Sequence, residues 1–169
     1  MDQVASEAFA LIPGSEQAVE AARVRCRRMV NKRAAMAAGF SAVPVPGLDI
    51  VSDMSLFTGL VDEVNAAFGL SEQQLGRLQP KLRLMAYEAA VGVGGVLVGR
   101  IVTKELLLLL LKKAGIKIAG KTAAKLVPVA GSLVSAAIGF TVFRKLGYQH
   151  VEACAQVAAR LQQARTVTV

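Results

Sequence analysis

The stretch LVPVAGSLVSAAIGFTVF, residues 126–143, runs for eighteen residues without a charge. That length is near the lower limit for a helix that crosses a bilayer. Its Pro128, Gly131 and Gly139 also suit a central helix enclosed by neighbours on every side. Length alone leaves both readings open. A second stretch of the same character begins at Ala89: residues 89–99 are uncharged, and Gly95 and Gly99 form a small-xxx-small pair that permits close helix packing. After Arg100, Lys104 and Glu105 come six leucines, Leu106 to Leu111. Two central, strongly apolar, Gly/Ala-rich helices are therefore expected, at 89–111 and 126–143. They could also enter lipid together as a hairpin.

The flanking sequence is helical as well, because strand alternation is weak and turn clusters are few. Ser15 caps a helix that Gly39 is expected to stop. Val19, Ala22, Cys26, Met29, Val30 and Ala37 fall on one arc of it, with Arg25, Arg28 and Lys32 opposite and Arg27 at the flank. Arg23 and Arg33 intrude on the apolar arc. Pro44 and Pro46 forbid a helix through 43–47, so a second helix starts near Gly47 and ends at Gly69. Asp49 and Asp53 lie near its start, where the helix dipole favours negative charge by about 0.3–1 kcal/mol each. Ser71 and Gln74 fit a capping box, with Leu70 and Leu75 as its staple. Pro80 ends that helix or opens the next. A last helix is expected over 148–165, with Val151, Cys154, Ala158 and Leu161 as its stripe. The fold expected is an all-α helical bundle: an N-terminal segment 1–14, one domain 15–165 and a tail 166–169.

The chain has 169 residues, 54% of them apolar and 19% charged, with a net charge of +8. Mean hydropathy is +0.48. Such a chain can bury a core without disulfides or metal. Cys26 and Cys154 could form one disulfide, but they better suit two free buried thiols in a reducing compartment. The N-terminus is acidic and lacks the features of a secretory leader, so an intracellular protein is expected. One histidine, His150, and no tryptophan exclude a Cys/His zinc site and leave a hydrolase without a recognisable nucleophile motif. His150 reads as a polar position near a helix start. No catalytic, metal or cofactor set is expected, and the protein reads as non-enzymatic.

Residues 1–70 carry six Lys/Arg against eight Asp/Glu, net −2, and residues 71–169 carry fourteen against four, net +10. The C-terminal part therefore attracts anions. GIKIAGKT, residues 115–122, matches the phosphate-loop pattern GxxxxGKT. Its context does not fit: no clean strand precedes it, and Glu152 is the only acid after Thr122, so nothing is available to hold magnesium. The same residues read better as a basic amphipathic helix. Lys113, Lys117, Lys121 and Lys125 recur every four residues, with Lys112 beside them and apolar residues on the other side. That pattern suits an anionic membrane surface, at about 1 kcal/mol for each lysine. No reading motif or aromatic platform for nucleic acid accompanies it.

GFSAVPVPGLD, residues 39–49, with Asp53 and the FGLS of 68–71, resembles the C-terminal helical domain of immunity-related GTPases and the YcjF-type helical domain behind dynamin-like GTPases. AAKLVPVAG, residues 123–131, resembles the Pro-x-x-Gly block, Pro128 and Gly131, of those domains and of EcsC-type proteins. The resemblance covers about residues 30–160. It implies an all-α bundle, membrane association and often a GTPase domain upstream, and it marks Pro44, Pro46, Gly47, Asp49 and Asp53 as structural positions. Residues 1–40 cannot hold a GTPase domain, so the role of GTP is expected to come from a separate partner or to be absent. The function expected is a helical domain that binds or inserts into anionic membranes on the cytoplasmic face, with a pore-forming toxin as its most aggressive form. The alternative is a soluble interaction module for a GTPase or another acidic protein.

Overall fold

The computed structural model describes residues 7, 10–41, 48–100, 106, 109–110 and 131–167. The chain is an all-α helical bundle, with no strand among the described residues. Its helices are α1 (Glu16–Ser41), α2 (Leu48–Ala67), α3 (Glu72–Arg77), α4 (Pro80–Gly92) and α5 (Gly131–Val167). None of the helices among the described residues is long and apolar enough to cross a membrane.

Two compact units divide the chain. The first comprises Met1–Arg28, Val61–Ile101 and Tyr148–Val169. Its core is Val19, Ala22 and Cys26 of α1, Val61, Val64 and Phe68 around the end of α2, Leu70 and Leu75 around α3, and Val151, Ala155, Ala158 and Leu161 of α5, all buried. The second comprises Met29–Leu60 and Val102–Gly147. It buries Val30, Ala34 and Ala37 of α1 with Phe57 and Leu60 of α2 and Val142 and Phe143 of α5. Phe57 and Phe143 meet edge to face, 5.2 Å between centroids, the arrangement that the ring quadrupoles favour. The buried positions of α1 follow at intervals of three and four residues, the period of one helical face.

Several boundaries follow the local chemistry read from the sequence. α2 ends in a Schellman turn. Leu70 donates its backbone N–H to the Asn65 carbonyl and Gly69 to that of Ala66, with Gly69 at φ +71°. That left-handed conformation favours glycine. A Cβ at Gly69 would also lie 2.8 Å from the Ile12 nitrogen. The capping box of α3 is complete. The Gln74 N–H donates to Ser71 Oγ at 3.3 Å and the Ser71 N–H to Gln74 Oε1 at 2.9 Å. Pro80 stands at the start of α4, where its missing N–H costs nothing.

Four expectations need correction. First, α1 continues past Gly39 to Ser41; nothing lies within 4 Å of where a Cβ would stand there, so this glycine is a weak helix position and not a stop. Second, 89–111 is not one helix. α4 ends at Gly92 in a second Schellman turn, with Gly95 N–H donating to the Ala90 carbonyl and Gly94 at φ +67°, and 93–100 is a run of turns. Third, the helix expected at 126–143 and that at 148–165 are joined, because α5 runs unbroken through Gly147. A Cβ there would meet Val30 Cγ1 at 2.7 Å and Leu60 Cδ2 at 3.3 Å, so Gly147 serves close packing of the second unit. Fourth, His150 is well inside α5 and buried, not near a helix start.

Three substitutions separate these roles. Gly39→Ala raises stability by up to about 1 kcal/mol through helix propensity alone. Gly69→Ala lowers it by at least about 1–2 kcal/mol, the cost of a left-handed backbone with a Cβ. Ser71→Ala lowers it by about 1 kcal/mol through the lost cap. Urea denaturation midpoints check all three, and equal midpoints for the two glycine variants would contradict the assignment.

Candidate functional site

α4 has the sequence PKLRLMAYEAAVG. Ala86, Ala89 and Ala90 are buried and Leu82 and Met85 half-buried, whereas Leu84 is 59%, Tyr87 38% and Val91 78% exposed. The outward three follow at steps of three and four residues and so form one stripe. Lys81 and Glu88 are exposed beside it, and Arg83 is half-buried. Val96 is exposed on the turn that follows.

That turn is held to the first unit by side chains and by close approach. Asn65, 2% exposed, donates its Nδ2 hydrogen to the Leu97 carbonyl at 3.1 Å. A Cβ at Gly95 would stand 3.2 Å from Ala153 Cβ, so the turn lies directly on α5. Gly99, at φ +66°, leaves room for the Leu75 side chain. The Gly95/Gly99 pair thus permits close packing, as its spacing implies, but as a turn against helices.

The other end of the Asn65 amide meets a buried polar cluster. Cys154 Sγ donates to Asn65 Oδ1 at 3.4 Å and lies 3.6 Å from His150 Nε2 and 3.9 Å from its Nδ1. Burial lowers His150 to about 4, against the opposing effect of a backbone hydrogen bond at Val61. Burial pushes Cys154 well up, with the Cys26 thiol adding to it, and also raises Cys26. Both cysteines are free, and both are protonated at neutral pH, so neither is a ready nucleophile. Among the described residues no group of His, Cys, Asp or Glu could hold a metal. The cluster is a sealed hydrogen-bonded core.

The arginines that intrude on the apolar arc of α1 have partners. Arg23 bridges Glu20 at 2.7 Å and Glu152 at 3.1 Å. Arg27 pairs with the other Glu152 oxygen at 3.2 Å and lies over the Tyr148 ring, 5.7 Å from its centroid. In the second unit, Arg33 Nη1 donates to the Leu56 carbonyl at 3.1 Å. Arg25 and Arg28 are exposed, and with Gln17, Ala21 and Val24 they line a shallow groove on α1.

Most of the site residues named from sequence are not brought together here. Lys112, Lys113, Lys117, Lys121 and Lys125 lie outside the described residues, as do Pro44, Pro46, Gly47, Pro128 and the phosphate-loop match at 115–122. Asp49 and Asp53 lie in the first two turns of α2 by backbone position, and Gly131 opens α5. Sequence reading missed the α4 stripe. Its signal was present in Leu84, Tyr87 and Val91 at helical spacing, but that pattern also marks an inward face.

Asn65→Ala removes the Leu97 hydrogen bond and strands a buried carbonyl, at a cost of about 1–3 kcal/mol. Amide exchange in 93–100 should quicken more than in α1. A uniform change throughout the first unit would count against a local clamp.

No family model matches the chain, and neither a curated protein nor a solved structure is significantly similar to it.

Proposed function

We propose that this protein is a non-enzymatic helical module that associates with anionic membrane surfaces through α4. The observation that carries the reading is the outward stripe of Leu84, Tyr87 and Val91 beside Lys81 and Arg83. Exposed large apolar side chains flanked by cations are what an interfacial helix presents to lipid. Tyrosine suits the headgroup level, because its ring is apolar and its hydroxyl polar. The net charge of +10 over residues 71–169 favours an anionic leaflet.

Magnitudes decide between surface binding and insertion. Three partly exposed apolar side chains contribute about 1 kcal/mol each. Lys81 and Arg83 near an anionic surface add about 1 kcal/mol each, and the exposed Glu88 beside the stripe takes about 1 kcal/mol back. The sum of about 4 kcal/mol corresponds to a dissociation constant of about 1 mM. α4 alone therefore supports reversible, salt-sensitive attachment. A lysine strip at 112–125 of the kind expected from sequence would strengthen it by the same electrostatic term. The resemblance to GTPase-associated helical domains points in the same direction.

The test is flotation with phosphatidylcholine vesicles, with and without phosphatidylglycerol, at low and high salt. Binding to the anionic vesicles that weakens in salt is expected. The double variant Leu84→Asp/Val91→Asp changes exposed positions, keeps the fold and should bind at least about tenfold more weakly, the equivalent of losing the apolar contacts of two side chains. Undiminished binding of that variant, or no flotation of the unmodified protein, would overturn the reading.

A further inference from the structure

His150 is the only histidine in the chain, 5% exposed, and it sits at the end of a chain of contacts that reaches the turn after α4. Its ring lies against Cys154 Sγ, which donates to Asn65, whose amide holds the Leu97 carbonyl of that turn. We propose that His150 is an acid-sensitive latch on this turn: a charge on its sealed ring has no counterion in the closed form, so acid favours an open form in which the Cys154–Asn65–Leu97 chain is parted and the turn and α4 settle into anionic lipid. This inference rests on the membrane reading above and adds its regulation.

The surroundings of the ring argue for instability once it is charged. On α5 its neighbour is a thiol, Cys154. α2 offers the neutral Asn65 amide and the Val61 backbone, while its Asp62 and Glu63 are exposed. α1 contributes the Cys26 thiol, and its Arg23 and Arg27 engage the one nearby acid of α5, Glu152. α4 turns alanines inward, and its Lys81 and Glu88 are exposed, as is Arg100 on the turn. Among the described residues, the ring meets the Cys154 thiol and the Val61 backbone and no carboxylate. A charged imidazolium needs acceptors on both nitrogens, and a buried charge without a counterion is costly.

The sign follows from linkage. The ring titrates at about 4 when closed and near 6.5 when exposed. The open form therefore takes up the proton first as pH falls. Closed-state stability is complete above 6.5 and is lost progressively down to about 4. Over that window the open-to-closed ratio rises about tenfold per pH unit, or about 300-fold in all.

The experiment uses the full chain. One histidine means one imidazole signal by NMR, so the native ring is followed directly from pH 7.5 to 4.5. In parallel, phosphatidylglycerol vesicles are floated at both pH values after a high-salt wash. The closed-state ring should stay neutral below pH 6, and salt-resistant vesicle binding should rise at least about tenfold at pH 4.5, within the linkage limit. His150→Leu should flatten that rise. A native ring titrating near 6.5 overturns the latch without recourse to any variant. So does an equal acid response in His150→Leu, or vesicle binding that is unchanged between the two pH values. Absence of binding at both pH values overturns the membrane reading and the latch with it.

Discussion

The Asn65 side chain joins three parts of the first unit through one buried amide. Its Nδ2 hydrogen satisfies the Leu97 carbonyl, and its Oδ1 accepts the Cys154 thiol. A polar group sealed from water is tolerable only when it is hydrogen-bonded, and here the partners are a loop backbone and a helix side chain. This amide ties down the turn at 93–100 together with the buried Leu97 and Val98 side chains and the close approach of Gly95 to Ala153. Replacing an interior hydrophobic residue would cost contact area. Removing this amide would leave a carbonyl with no partner, which is the more specific loss.

The consequence reaches the surface. α4 approaches the core through Ala86, Ala89 and Ala90, with Leu82 and Met85 half-buried. Leu84, Tyr87 and Val91 are left outside. An amphipathic helix usually buries its large residues, since each contributes more to the hydrophobic effect than alanine does. Leaving these three exposed forgoes that stabilisation, which is the reason to read α4 as an interacting surface. The ionic network between α1 and α5 is of a different kind. Arg23, Arg27 and Glu152 are partly exposed, and such pairs contribute about 0–1 kcal/mol. They set which arginines face inward more than they hold the bundle together.

Local chemistry was legible residue by residue. The Ser71–Gln74 box, the end of α2 at Gly69, Pro80 at the start of α4 and the inward positions of α1 all depend on groups within four or five residues of one another. Glycine was where that reading failed. Gly39, Gly94 and Gly147 have the same side chain and three different roles: a helix interior, a helix end and a point of close packing. Which role applies depends on the atoms opposite, and those come from distant parts of the chain. The same reason hid the orientation of α4, since Leu84, Tyr87 and Val91 have one spacing whether they face in or out.

The helical class, the caps and turns, and the uneven charge can be read from the chain alone, because each arises from short-range backbone chemistry or from composition. The burial of His150, the partners of Arg23 and Arg33, and the outward facing of Leu84, Tyr87 and Val91 come from packing. Burial of His150, and the pairing of Arg23 with Glu152 and of Arg33 with Leu56, depend on distant parts of the chain, and a packed interior, not a local propensity, selects which of them meet.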